Sequence, residues 1–532
     1  MGGTRATGLV LLTLAAGQFL MTLDSSVMNV SIATVAKDVD TTVTGIQTAI
    51  TLYTLVMASL MVTGGKIGQI FGRKRAFAVG CVIYGCGSLV TSIAPNLGVL
   101  IFGWSFLEGV GAALILPAIV GLVAGNFAHA ERPRAYGLVA SAGAIAVAAG
   151  PLVGGLFTTY LSWRLVFAGE VVLVVVILAL TRRMADAAPE ERVRLDVVGT
   201  ALSALGLGLI VFGILRTGEW GFIRPAPSAP DWLGLSPSVW LILGGGVVLW
   251  LFLVWENRVI DRGAEPLVDP AILRNPLLRG GLTAFFFQYL LQAGLFFAVP
   301  LFLSVALGLS AIATGVRLLP LSITLLLAAA GIPKAFPNAS PRRVVRVGVL
   351  ALLAGIVVMI AALDAGAGPE VVTWPMLLAG LGIGALASQL GAVTVSSVPD
   401  DRSSEVGGLQ NTGTNLGASI GTALAGAILI STLTTSFLSG IEQNPAVPAE
   451  VAADATVELA DGIPFVSDAD LEVALDEAGV RPETADAVVD DNATARLDAL
   501  RASLSVLALI AVVALFFTRG IPTSQPTSTP AT

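Results

Sequence analysis

Four charged residues lie within long apolar runs of this chain: Asp24, Glu108, Glu170 and Arg317. An ion near the centre of a bilayer costs about 2.5 to 3.5 kcal/mol on insertion scales, so each needs a cavity, a partner or a task. For a carboxyl group the fitting task is proton carriage, because loss of water disfavours the charged form and brings proton uptake and release into the working range of pH. Asp24, Glu108 and Glu170 are therefore the candidate proton carriers. The competing reading of each is a protonated acid hydrogen-bonded to a neighbouring helix. Asp364, Glu219 and Glu256 fall at the ends of apolar runs and read as solvated or interfacial.

Other chemistry is poorly supplied. One His (His129) and two Cys (Cys81 and Cys86) leave no set for a zinc cluster, a catalytic triad or a disulfide framework. No P-loop run occurs, so nucleotide hydrolysis offers no energy source. Paired Asp-rich metal motifs and a headgroup-level catalytic His are also missing, which argues against a membrane transferase. Neither a metal, a cofactor nor a nucleic-acid partner is expected, and the chain is not read as an enzyme.

The elements that must hold the four charges follow from composition. Apolar residues make up 55% of the 532 and charged residues 12%, half the roughly 25% of a soluble domain, and mean hydropathy is +0.86. Runs long enough to span a bilayer lie near 8 to 33, 45 to 64, 76 to 94, 97 to 125, 136 to 158, 164 to 181, 197 to 216, 238 to 256, 281 to 307, 311 to 333, 347 to 366, 372 to 398, 412 to 432 and 499 to 518. The pattern predicts an all-α integral membrane protein with fourteen transmembrane helices, the lipid bilayer being its first partner. Arg5 before the first run does not make it a secretory signal, since that run is long, contains Asp24 and precedes thirteen more. With the N-terminus inside, the Lys and Arg concentrate in loops on one side, so both termini are expected in the cytoplasm of a cell-membrane protein. Between Glu442 and Asp498 stand fifteen acidic residues against only Arg481 and Arg496, so the net charge of −7 comes from one segment. That segment, 433 to 497, is expected outside the membrane, with a helix beginning near Ser467 to Asp470.

An internal repeat organises the spans. Glu131-Arg132-Pro133-Arg134-Ala135-Tyr136-Gly137 before the fifth run and Asp401-Arg402-Ser403-Ser404-Glu405-Val406-Gly407 before the thirteenth share acid, Arg, four residues, Gly. Two six-helix units in the same orientation, with two helices inserted between them, account for the spacing. The expected domains are 1 to 185, an inserted pair in 186 to 278, and 279 to 532.

Between the second and third runs, Gly65-Lys66-Ile67-Gly68-Gln69-Ile70-Phe71-Gly72-Arg73-Lys74-Arg75 resembles the signature loop of the major facilitator superfamily. Its glycines permit a tight turn and its cations can cap helix C-termini or pair with acids. Gly143 through Gly150-Pro151-Leu152-Val153-Gly154-Gly155 is similar to the antiporter signature of drug exporters, where small residues allow close helix packing and Pro allows a bend. Leu23-Asp24-Ser25-Ser26-Val27-Met28-Asn29-Val30 is similar to the first-span motif. The chain thus resembles a fourteen-span drug:proton antiporter, which implies the major facilitator fold as 6 + 2 + 6 helices and a gating role for Gly65, Lys66, Gly68, Gly72, Arg73, Lys74, Arg75, Gly143, Gly150, Pro151, Gly154 and Gly155. Two positions depart from the pattern. Gln69 and Ile70 replace the signature Asp-Arg, and Ser105 stands where exporters carry an Arg.

Aromatic and amide groups cluster in the ninth run, and Phe286, Gln288, Tyr289 and Gln292, with Arg317 of the tenth, are the candidate substrate contacts. Packed or lipid-facing Phe is the competing reading. The expected activity is proton-coupled export of small hydrophobic or amphipathic compounds by alternating access, from a monomer. Export of an endogenous lipid or secondary metabolite is the alternative, and a non-transporting sensor with an outer acidic loop is another.

Overall fold

The computed structural model describes residues 2–127, 132–184, 195–225, 229–264, 266–336, 338–364, 367–395, 397, 403–448, 468–477 and 479–524. Its named elements are all helical. The long ones are α1 (Gly2–Asp38), α2 (Val43–Phe71), α3 (Arg73–Ser92), α4 (Leu97–Leu100, continuing through Ile101–Glu108 and Gly109–Asn126), α5 (Arg132–Tyr160), α6 (Arg164–Thr181), α7 (Val197–Leu215), α8 (Pro237–Asp261), α9 (Pro276–Leu301), α10 (Ala311–Ala335), α11 (Pro341–Ala362), α12 (Thr373–Val395), α13 (Ser403–Gln443) and α14 (Pro482–Phe517).

Their starts are written in the sequence. Thr42, Asn96, Asp196, Asn275 and Ser310 each accept a backbone N–H of the first turn of α2, α4, α7, α9 and α10, satisfying donors that would otherwise be orphaned. Gly72, at φ 99°, makes the break between α2 and α3, a conformation that disfavours any side chain.

Among the described residues thirteen helices are long and apolar enough to cross a membrane. The fifth expected span falls on α5, whose described apolar stretch is Ile145–Tyr160. Two helices outrun their hydropathy limits. The runs at 412 to 432 and 499 to 518 prove to be parts of α13 and α14, because hydropathy marks only the length that lipid covers while a helix continues into water wherever its polar residues find partners. Past the apolar runs Ser436 Oγ donates to Asp498 at 3.3 Å and Asn444 Nδ2 to Asp491 at 2.9 Å, joining the two extensions. The acidic segment is thus packed in its described part, with a short helix at Asp468–Glu477 tied down by the Arg496–Asp468 ion pair.

Inside, α1 packs on α5, α4 on α2 and α3, and α3 on α6; α9 packs on α13, α12 on α10 and α11, and α14 on α13. Helices α7 and α8 pack on each other, with α7 also touching α2 and α13. Two seams cross between these sets, α2 with α13 and α5 with α10. Outward-facing apolar side chains such as Val79, Val175, Leu243, Val247 and Leu509 are exposed, as a lipid environment demands.

Candidate functional site

The three candidate carboxylic acids come from different helices and meet. Asp24 (α1), Glu108 (α4) and Glu170 (α6) each place a carboxylate oxygen within 4.8 Å of the others, and all three are buried. Local structure explains the meeting. Ile101–Glu108 is a π-helical turn within α4, the wider winding that recurs at functional sites, and it turns Trp104, Ser105 and Glu108 inward together. Gly87 on α3 lets α4 approach to backbone contact, since a Cβ there would collide with the Glu108 Cγ and the Gly103 carbonyl.

Neutral donors hold one oxygen of each acid. Trp104 Nε1 donates to Asp24 Oδ1 at 2.8 Å. Thr91 donates to Glu108 at 3.1 Å, and Ser88 and Tyr84 donate to Glu170 at 3.1 and 3.2 Å. The second oxygen of each acid has no hydrogen-bond partner among the described residues. No Lys or Arg pairs with any of them there. Ser105, at the position where exporters carry Arg, donates instead to the Ala49 carbonyl of α2 at 2.8 Å. Three ionised carboxylates at this spacing would repel by about 3 kcal/mol per pair even at an effective dielectric of 20.

Sequence reasoning found the three acids and missed their holders. Tyr84, Ser88 and Thr91 recur at helical spacing in an otherwise apolar span, which is the signal that marks a polar stripe facing inward.

The signature loop caps helices, as its residue types suggest. Arg73 donates to the Gly121 carbonyl near the end of α4 at 3.0 Å, and Lys74 to the Met184 carbonyl after α6 at 2.7 Å. Arg75 is exposed; Lys66, Gln69 and Ile70 are half-buried. Gly65 faces Pro117, and Gly68 faces Arg73 and Ala76. On α5, Gly143 faces Gln18 and Thr22, Gly150 faces Ser26, and Gly154 faces Val27, all on α1. Gly155 meets Ala311 and Ile312 of α10, and the Pro151 carbonyl meets Gly315. The repeat residues Glu131 and Asp401 lie outside the described residues.

The substrate candidates are not gathered at the acids. Gln288 is buried with an Oε1 that has no hydrogen-bond partner among the described residues, Tyr289 is exposed, and Phe286, Gln292 and Arg317 are half-buried. A narrow cleft where α1, α5, α9 and α10 meet is lined instead by their neighbours, including Ser26, Asn29, Phe296 and Ser322.

Residues 14–422 match the profile of the Major Facilitator Superfamily. The chain belongs to that superfamily. It is a multi-pass membrane transporter with the superfamily's all-helical fold, and not an enzyme. It is 29% identical over 443 residues to the puromycin resistance protein pur8 of Streptomyces alboniger, covering 82% of this chain and 84% of that one. It is also 28% identical over 435 residues to a probable actinorhodin transporter of Streptomyces coelicolor, covering 79% and 72%. Among solved structures, a bacterial homolog of the human lysosomal transporter Spinster, inward-facing and unoccupied, aligns over 99% of both chains with a TM-score of 0.57 at 15% identity.

Proposed function

We infer that this superfamily member is a proton-coupled exporter of hydrophobic or amphipathic compounds, working by alternating access. The observation that carries the reading is the buried meeting of Asp24, Glu108 and Glu170 without a cationic partner among the described residues. A proton arriving at any of the free oxygens relieves repulsion among all three, so the acids titrate as one unit. One proton falling through 100 mV yields about 2.3 kcal/mol, and a pH unit adds about 1.4, enough to concentrate a neutral solute by two orders of magnitude with modest gradients. Cationic or neutral compounds suit a bundle whose intramembrane charges are three acids and Arg317.

The helix contacts support a division into six, two and six helices, with the α2–α13 and α5–α10 seams as the surfaces that rearrange. The basic loops support a cell-membrane orientation with both termini in the cytoplasm, and a monomer supplies the whole site. A second reading, export of an endogenous secondary metabolite, is favoured by the relatives from Streptomyces, which include a probable actinorhodin transporter and a tetracenomycin C resistance and export protein.

The test uses purified protein in vesicles with an imposed pH gradient, screened for solute-dependent proton release. Asp24→Asn should lose gradient-driven efflux while keeping solute exchange, since the amide preserves the Trp104 bond but does not ionise. Full active efflux in that variant would remove Asp24 from the coupling path.

A further inference from the structure

The acid cluster is joined to the α2–α13 seam by side chains that the proton reading does not use. Trp104, whose Nε1 holds Asp24, lies flat on Tyr53 of α2, with centroids 5.0 Å apart and 7° between planes. The next residue, Ser105, grips α2 one turn earlier, at the Ala49 carbonyl. On α2, Gln47 Nε2 donates to the Thr422 and Ala423 carbonyls of α13 at 3.1 and 3.2 Å, and Ser419 of α13 donates to the Thr51 carbonyl at 3.1 Å. Positions 49 and 53 share one face of α2 and positions 47 and 51 share another. The two faces are offset by two residues, about 200° of helical rotation, and so are nearly opposite. Helix α2 is a rod held by the acid cluster on one side and holding the seam on the other. Every residue of this linkage is buried: Gln47, Ala49, Thr51, Tyr53, Trp104, Ser105 and Ser419.

We propose that Trp104 and Tyr53 are positioning residues through which the charge on Asp24 sets the α2–α13 seam, and that Gln47 is the latch of that seam. The inference rests on the coupling reading above. An ionised Asp24 accepts a charge-assisted bond from Trp104, roughly twice as strong as the bond a neutral acid accepts. A proton settles on Oδ2, which has no hydrogen-bond partner among the described residues, so the Trp104 bond is weakened without being displaced. The π-helical turn that carries Trp104 and Ser105 is the element able to rewind. The titratable groups facing Asp24 are Glu108 of α4, Glu170 of α6, Tyr53 of α2 and Tyr84 of α3. In the ionised state the turn is clamped and the seam stays latched; protonation loosens the clamp and frees the seam to open.

The reporter is Ala423→Cys, a fully buried seam position, in a background with Cys81→Ala and Cys86→Ala. Labelling by a polar thiol reagent is measured in vesicles across pH and normalised at each pH to the unfolded protein. In the otherwise native chain, normalised labelling should rise about tenfold from alkaline to acidic buffer, the change expected when a charge-assisted bond becomes an ordinary one. Trp104→Phe, which keeps a ring and loses the N–H, should label fast at both extremes while still exchanging solute, and Gln47→Leu should do the same. Tyr53→Phe, which keeps the stack, should retain the pH step, and Tyr53→Leu should lose it. If Asp24→Asn removes the step and both Trp104→Phe and Tyr53→Leu keep it, the link proposed here is wrong and the coupling reading stands. A step that survives Asp24→Asn overturns the link and takes Asp24 out of the coupling path, leaving Glu108 and Glu170 to carry it.

Discussion

Gly315 of α10 stands against the carbonyl of Pro151 on α5 with no space for a Cβ, and Gly155 of α5 returns the contact against the backbone of Ala311 and Ile312. The two glycines make the tightest part of the α5–α10 seam. A side chain at either must push backbone rather than a flexible tip, and overpacking of this kind costs about 1 to 3 kcal/mol. That cost vanishes in any state where the helices part, so Gly315→Ala should shift the equilibrium toward the separated arrangement and slow turnover while solute binding survives. Cysteine accessibility at the two ends of the seam checks it; an unchanged ratio of labelling would place the seam outside the moving surfaces.

Gly150 behaves differently. Its missing Cβ would meet Ser26 of α1, so Gly150→Ala should destabilise the α1–α5 pair by about 1 to 3 kcal/mol. It should lower the melting temperature in detergent without the conformational bias of Gly315→Ala. A shifted labelling ratio in Gly150→Ala would count against this separation of roles.

The contrast shows what the sequence carried and what it withheld. Small residues at 143, 150, 154 and 155 announce close packing, but only the rotation of α5 decides that the first three face α1 and the last faces α10. In the same way, a charge inside an apolar run marks Asp24, Glu108 and Glu170 individually. Their meeting depends on the π-helical turn at Ile101–Glu108 and on Gly87, neither of which has a pattern in hydropathy. The bilayer also hides helix length: the polar continuation of α14 reads as a loop because its stability comes from Ser436 and Asn444, distant along the chain, and from the pairing of its own Arg496 with Asp468.

For the signature loop, Arg73 and Lys74 should be separable. Arg73 donates to the Gly121 carbonyl in the penultimate turn of α4 and is half-buried, so Arg73→Ala removes one charged hydrogen bond between the loop and α4 and should cost about 1 kcal/mol. Arg73→Lys should recover part of it, because a single ammonium can reach one carbonyl. Thermal unfolding of the three proteins in the same detergent gives the comparison, and equal midpoints would leave Arg73 with a purely topogenic charge.

Arg496 tests the packing of the acidic segment. It is buried on α14 and pairs with Asp468 of the short Asp468–Glu477 helix, where the Asp468 side chain is 39% exposed. Solvent at the Asp468 end weakens the pair, so Arg496→Leu should cost about 2 kcal/mol, in the range of a charged hydrogen bond rather than of a dry ion pair. The loss should appear as faster proteolysis near Asp468–Glu477 with span packing intact. Resistance equal to the native chain would show that the short helix is held without this pair.

Glu256 supplies the last prediction, since it joins the α8 helix to the connector that follows. Its Oε2 accepts the buried Leu267 N–H at 2.8 Å. Leu267 and Val268 pack with Phe252 of α8, against Val62 of α2 and Leu409 of α13. The connector therefore bridges α8 to both sides of the α2–α13 seam, at the end away from the α1–α2 turn. Glu256→Leu strands the Leu267 N–H, a penalty of about 1 to 3 kcal/mol for a buried donor, whereas Glu256→Gln keeps an acceptor and should be mild. If the connector restrains the seam, Glu256→Leu should speed amide exchange in the connector and raise labelling of a cysteine at Val62 together. Faster exchange with unchanged labelling would make the connector a passive tether, leaving α2 and α13 to part without it.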